Sequence, residues 1–253
     1  MRKRDVLAAL YPERRIAGFS RNDQRITFFN QVNALIRPEM SVLDYGAGRG
    51  KWAELEEGYK LALTTLRGKC RRVVGVDVDE AVLENRLVDE SFVTNGTDPL
   101  PFEDESFDLI LSWAVFEHIS NPEFAAAELT RILKPGGWIC AWTPSKWSYF
   151  AICARFVPQE HHAPLVKWMG SRRRGEEDVF PTVYKMNTLR AIDRLFPRAT
   201  YENCSYYYNG PPAYHANRWL LAAAWRFWMW LLPPMFAQQM HIFLRKKSVT
   251  AED

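Results

Sequence analysis

The 253-residue chain carries 33 Lys and Arg against 30 Asp and Glu, a formal charge of +3, and 47% of its side chains are hydrophobic and 14% aromatic. That is apolar material for one sizeable core without disulfides or metals, and the charge is too even to argue for wrapping a nucleic acid. The four cysteines, Cys70, Cys140, Cys153 and Cys204, form no CxxC pair, which speaks against a zinc knuckle or disulfide scaffold and suits reduced thiols in a cytoplasmic protein.

The N-terminus MRKRD is basic but leads into no apolar run of the kind a secretory signal needs, so no export is expected. Residues 22–36 set Ile26, Phe29, Val32 and Ile36 at near-helical spacing and predict an amphipathic helix entered at Asn22 or Ser20. Short strand-like runs follow at Ser41 to Tyr45, Arg72 to Val76, Phe92 to Asn95, Phe107 to Trp113 and Trp138 to Thr143, with helix-like segments after the first, second and fourth. Such alternation predicts right-handed crossovers and a mostly parallel sheet with helices on both faces. Thr200 to Tyr208 and Met240 to Leu244 lack that alternation and are expected to form an antiparallel edge. The expected fold is α/β, a Rossmann-like, doubly wound, seven-stranded sheet whose last strand is antiparallel.

The whole of residues 1–253 reads as one domain: a helical cap over 1–40, a core over 41–143, an insertion over 144–186, and a C-terminal part over 187–253. The insertion carries Pro144, Pro158, Pro164 and Pro181 and the mixed-charge run RRRGEED at 172–178. It leaves the carboxyl edge of the sheet, where open α/β folds bind ligands, and is well placed to cover a substrate.

The stretch VLDYGAGRGKW at 42–52 admits three readings. An ATP-type phosphate loop would need a glycine where Tyr45 stands and a hydroxyl where Trp52 stands. A dinucleotide loop started at Gly46 meets Lys51 at its third glycine; started at Gly48 it ends at Ala53, too far from the strand. The third reading is a strand, Asp44, then Gly46-x-Gly48-x-Gly50. A carboxylate at the strand end would repel a pyrophosphate but favour a cationic amino acid group, while the glycines let the backbone approach an adenosine. A cofactor with a positive end and no phosphates is S-adenosylmethionine. Asp77, closing the second strand in RVVGVDVD, is placed to accept both ribose hydroxyls, a feature a nicotinamide enzyme would share.

With VLDYGAGRG, VVGVDVD, DPLPFEDESFDLILSWAVFEHI and ELTRILKPGGWICAWTP in this order, the chain resembles the class I S-adenosylmethionine-dependent methyltransferases, of the small-molecule type, over roughly residues 40–145. The resemblance implies that Asp77, with Val78 beside it, holds the ribose end, that Asp98 holds the adenine amine, and that Trp113 and Ala114 line the cofactor. NGTDPLPF departs by one spacing from the commoner family pattern around Asp98.

Methyl transfer is an in-line displacement that depends on alignment in a dry site, and a hydroxyl acceptor must also lose a proton. His118, Glu160, His161 and His162 are the candidate bases, the histidines favoured because histidine titrates near neutrality. FEHI is similar to the E-x-x-E-H element of two metal-using relatives, the ubiquinone-pathway and small-RNA O-methyltransferases, but residue 114 is alanine, so no metal is expected. The [DNS]-P-P-[YFW] loop of exocyclic-amine enzymes is replaced here by AVFEH, so no nucleic-acid partner is expected. The acceptor expected is a small molecule, or a lipid- or glycan-linked one, methylated at oxygen. The alternatives are N- or C-methylation, or a cofactor-binding scaffold without turnover.

Residues 211–236 hold Trp219, Trp225, Trp228 and Trp230 among leucines and alanines. One reading is a buried helix. The other is an interfacial helix over 219–236 that makes the protein peripheral on the inner face of a membrane, since Arg226 and the double proline spoil it as a spanning segment.

Overall fold

A computed structural model describes residues 6–155 and 181–248; Glu160, His161 and His162 lie outside the described residues. The chain divides into two compact units.

The larger unit, residues 28–143, 182–206 and 240–253, contains the sheet. Its strands are β1 (Ser41–Tyr45), β2 (Arg72–Asp77), β3 (Glu90–Val93), β4 (Phe107–Trp113), β5 (Leu133–Pro144), β6 (Tyr201–Asn203) and β8 (Gln239–Lys246), with β7 (Tyr206–Tyr208) between the last two in sequence. Seven run across the sheet in the order β3-β2-β1-β4-β5-β8-β6. β1 pairs in parallel with β2 and β4, β2 with β3, and β4 with β5, while β6 is antiparallel to β8. The Rossmann-like fold read from the alternation is thus present. Among the described residues an eighth short strand joins these seven, because Cys204 and Ser205 break residues 200–208 into two.

The central strands read as apolar runs because both faces are covered: Val42, Leu43, Leu109, Ile110 and Ile139 are fully buried. β1 lies between β2 and β4, so the chain order reverses beside it and the carboxyl ends of these strands open a crevice there.

The crossover helices are short. α4 (Trp52–Leu55) and α5 (Gly58–Thr64) follow β1, and α6 (Pro122–Ile132) follows β4, started by the Asn121 side chain accepting from the Phe124 amide and by Pro122 in the first turn. The helix expected after the second strand is only a single 3-10 segment, Glu80–Glu84. Asp79 caps it, and Asn85 ends it by turning its side chain back to the glycine loop and to the Leu87 amide. α8 (Leu189–Leu195) is capped by Thr188.

Other boundaries shift for local reasons. β3 starts two residues early, and it ends two residues early where the Asn95 side chain accepts from the amides of Thr97 and Asp98. β5 begins at Leu133, with a register shift between Phe107 and Leu109 that absorbs Lys134–Gly137; Gly136 has φ +78°, which glycine adopts without strain. α3 (Gln24–Leu35) starts from neither Ser20 nor Asn22: Asp23 accepts from the amides of Arg25 and Ile26.

Arg131 on α6 braces the LPF turn by donating to the carbonyls of Leu100 and Phe102 and to the carboxylates of Glu128 and Asp104, while Glu128 accepts from the Leu100 amide. The two motif segments DPLPFED and ELTRILKP are therefore one structural device.

The smaller unit, residues 1–27, 144–181 and 207–239, contains α1 (Val6–Leu10), α2 (Arg14–Ala17), α7 (Tyr149–Arg155) and α9 (Trp219–Leu231). Asn209 ties it together, accepting from the Gln238 amide and from the Asn22 side chain and donating to the Met229 carbonyl. Among the described residues no helix is long and apolar enough to cross a membrane.

Candidate functional site

The carboxyl ends of β1, β2, β4 and β5 place Asp44, Asp77, Trp113 and Thr143 along one edge of the sheet: Asp44 is in register with Gly75 and Leu111, and Trp113 with Trp142. After Tyr45 the backbone turns sharply, the amides of Gly46 and Ala47 both donating to the Val76 carbonyl. Gly46 (φ +80°) and Gly50 (φ +73°) are required: a Cβ at Gly46 would run into Val115, and one at Gly50 into the Asn85 carboxamide. Gly48 (φ +51°) needs its backbone conformation rather than space. Lys51 directly precedes α4, as befits a residue of the first crossover.

Asp77 supports this loop as well as facing it. One carboxylate oxygen accepts from the Gly48 amide at 2.8 Å and the other from the Asp79 amide at 3.0 Å. Each oxygen keeps a lone pair, so two neighbouring hydroxyls could still be bound. The next side chain, Val78, is 52% exposed, an apolar surface left open beside the acid. Asp98, by contrast, is exposed, and its carboxylate accepts from the Asn95 side chain at 2.7 Å. It nevertheless borders a small cavity of about 10 Å³ shared with Tyr45, Thr94, Gly96 and Phe124.

Asp44 differs from both. Among the described residues no hydrogen bond or ion pair reaches its carboxylate, and burial, with the charge of Asp77 second, pushes its pKa up to about 7. A buried acid without a donor or cation is costly to ionise. The donor set therefore fits a ligand that brings a positive charge to Asp44 and a pair of hydroxyls to Asp77.

Trp113 is not an open wall. It stacks on Trp142 at 4.5 Å and 9° and on Phe29 at 5.4 Å and 25°, with Phe28 and Trp52 edge-on. Its stack stiffens the strand end from which Ala114 emerges at φ +60°, with the Ala114 amide donating to the Trp142 carbonyl. Non-glycine residues rarely adopt this conformation, and it turns the chain so that Val115 meets Gly46.

Three residues on, the His118 amide donates to the Val115 carbonyl, closing a turn, and the ring Nε2 stands 3.8 Å from Glu117 Oε1 with the side chain 27% exposed. Glu117 is the residue the sequence reading undervalued. It is 2% exposed, accepts from Thr143 Oγ1 at 2.9 Å, and its carbonyl accepts from the amides of Val183 and Tyr184. Asn187 donates to the same Thr143 hydroxyl at 2.6 Å. Glu117 thus joins the ends of β4 and β5 to the end of the insertion. Asn85, which donates to the carbonyls of Ala47 and Gly48, is the other residue missed. It follows a helix-like segment in sequence, and nothing local marks it. Among the described residues no group of three or more His, Cys, Asp or Glu could hold a metal ion.

Residues 43–141 match the profile of a methyltransferase domain. Among curated proteins the chain is 26% identical over 198 residues to the ubiquinone/menaquinone biosynthesis C-methyltransferase UbiE of Cupriavidus taiwanensis, covering 71% of this chain and 74% of that one. It is 31% identical over 143 residues to the UbiE of Laribacter hongkongensis, covering 51% of this chain and 56% of that one. Among solved structures, a methyltransferase in complex with the Haloferax volcanii Trm112 methyltransferase activator aligns with a TM-score of 0.53 at 15% identity, over 99% of this chain and 98% of that one. The [4+2]-cyclase SpnF aligns with a TM-score of 0.53 at 15% identity, over 87% and 81%. The structural likenesses show the fold, and the cyclase among them shows that the fold alone does not dictate one reaction.

Proposed function

We propose that this chain, which carries a class I S-adenosylmethionine-dependent methyltransferase domain with S-adenosylmethionine as its cofactor, transfers the methyl group to a hydroxyl of a small, lipid-linked or glycan-linked acceptor. The observation that carries the reading is the pair of acids at the glycine loop: Asp44, half-buried with its pKa pushed up to about 7, and Asp77, braced by the Gly48 amide. Bound there, the cofactor supplies a methyl group on a positively charged sulfur.

The chain's own residues then divide the work. Asp44 receives the cationic amino acid end, losing its proton as the charge arrives. Asp77 accepts the ribose hydroxyls, and Val78 covers the adenosine with its exposed apolar side. Asp98 reaches the adenine end. Gly46, Gly48 and Gly50 let the backbone approach, and Trp113 and Ala114 hold the strand end against it. His118 takes the acceptor's proton, its ring Nε2 standing 3.8 Å from Glu117 Oε1. His161 and His162, from the insertion, are the further candidates for that proton.

Carbon is the second reading, favoured by the C-methyltransferase names of the relatives. A ring carbon made nucleophilic by a neighbouring phenolate needs the same base, so His118 serves either outcome. Incubation with labelled S-adenosylmethionine and a panel of hydroxylated and quinol acceptors tests both. An O-methyl resonance in the product supports the first reading and a C-methyl resonance the second; cofactor binding with no transfer to any acceptor would leave only the scaffold.

A further inference from the structure

α9 has two unlike faces. Towards the smaller unit's interior it buries Ala222 and Met229, and Trp225 stacks on Tyr149 at 4.3 Å and 17°. The Tyr149 hydroxyl in turn donates to the Ala213 carbonyl, so this face is fixed. The other face carries Trp230 (77% exposed), Leu220 (75%), Phe227 (59%), Leu231 (58%), Trp219 (51%) and Trp228 (42%). At 100° per residue these six fall on one continuous half of the helix. The reading of this segment as a buried helix therefore holds for one face only. Isolated exposed hydrophobic residues are ordinary, but six large ones in one patch are not.

The charge of the smaller unit selects the occupant. Residues 207–239 contain no Asp or Glu, and the described residues of the smaller unit carry eight Lys and Arg against two Asp and Glu. Arg218 stands exposed directly before the helix, and Arg226 lies over the Tyr11 ring at 5.7 Å and donates to the Leu10 carbonyl, tying α9 to the end of α1. A protein partner would ask for a polar rim of hydrogen-bonding groups, and the 13 residues of α9 offer only Arg226 and indole N–H groups. Tryptophan and arginine around an aliphatic face instead match the depth profile of a bilayer interface.

We propose that the outer face of α9 lies in the interface of a membrane leaflet carrying anionic headgroups, with Trp219, Phe227, Trp230 and Leu231 in the acyl boundary and the basic residues of the smaller unit against the headgroups. The helix ends at Leu231, before Pro233 and Pro234, and lies along the surface without crossing it. The inference does not depend on which atom is methylated.

Sedimentation of the full chain with vesicles of phosphatidylcholine, alone or mixed with phosphatidylglycerol, tests this. The chain should pellet with the mixed vesicles, release as salt is raised, and bind pure phosphatidylcholine less. Phe227→Ser with Trp230→Ser should lower the partition coefficient about tenfold or more, with S-adenosylhomocysteine binding unchanged. Trp230→Phe, which keeps an apolar ring, should retain most of the binding and guards against a misfolded double variant. Equal partitioning of parent and double variant overturns the proposal. So does a parent that ignores both vesicle types, or one that forms a concentration-dependent dimer abolished by the double variant, since the face would then belong to a second copy.

Discussion

Asp44 and Asp77 repel each other across the glycine loop: after burial, the charge of Asp77 is the influence that lifts the Asp44 pKa to about 7. Asp77 accepts from two backbone amides, whereas among the described residues no hydrogen bond or ion pair reaches the Asp44 carboxylate.

The first prediction follows from the sign of that shift. The folded-state pKa of Asp44 lies above the unfolded value, so the folded apo protein binds more protons between the two. Its contribution to stability is therefore greatest below about pH 4, falls as the pH rises to about 7, and is level above that. A cationic ligand reverses the preference. Binding of S-adenosylmethionine should strengthen from pH 6 to pH 8 with release of a proton, which calorimetry in buffers of different ionisation enthalpy reads directly. Asp44→Asn should flatten that dependence, weaken binding by about 1.5–3 kcal/mol, and raise the melting temperature of the apo protein at pH 8. A pH-independent affinity in the parent would remove Asp44 from the cationic end.

Asp77→Ala should weaken S-adenosylhomocysteine binding by about 1–3 kcal/mol, and NAD should bind neither protein. An unchanged dissociation constant would refute the ribose assignment.

Gly50→Ala places a methyl group against Asn85 in a left-handed conformation and should cost about 1–3 kcal/mol of stability as well as affinity. Asn85→Ala leaves that space open but unties the carbonyls of Ala47 and Gly48. Its cofactor affinity should fall with a smaller loss of melting temperature. The ratio of the two effects, read by thermal melts with and without S-adenosylhomocysteine, separates a loop-positioning role from a purely structural one.

Arg131→Ala should destabilise the protein by about 1.5–3 kcal/mol, because it takes the guanidinium away from the Leu100 and Phe102 carbonyls and the Asp104 carboxylate and leaves Glu128 only the Leu100 amide. Urea titration measures this. A midpoint within error of the parent would show the LPF turn held by packing alone.

His118→Ala should lower kcat by about 10²–10⁴-fold and remove the acidic limb of the pH–rate profile, while leaving S-adenosylhomocysteine affinity unchanged. A profile of the same shape with a small loss in kcat would give the proton to another group.

Much of the candidate cofactor site is local in sequence, and that is why it could be proposed from the sequence. A strand end, an acid and glycines at alternate positions lie within seven residues from Asp44 to Gly50, and a second acid ends the next strand. Both are consequences of a parallel sheet that opens at its carboxyl edge. Asn85 and Glu117 were not legible in the same way. Asn85 acts across 37 and 38 residues on Gly48 and Ala47, and Glu117 across 26 on Thr143, so their roles exist only once the strands are side by side. Trp113 shows the converse: its position was legible, but whether it faces a ligand or its neighbours depended on Phe29 and Trp142 arriving from distant segments.

Periodicity and the glycine-loop motif by themselves determined the α/β class and the expectation of a cofactor with a positive end, because both follow from short-range spacing and charge sign. Tertiary packing alone decided that Asp44 lies half-buried with no partner among the described residues, that Asn85 fills the space behind Gly50, and that α9 turns six large apolar side chains outward. Burial and partnership are properties of segments brought together, and no single segment encodes what will cover it.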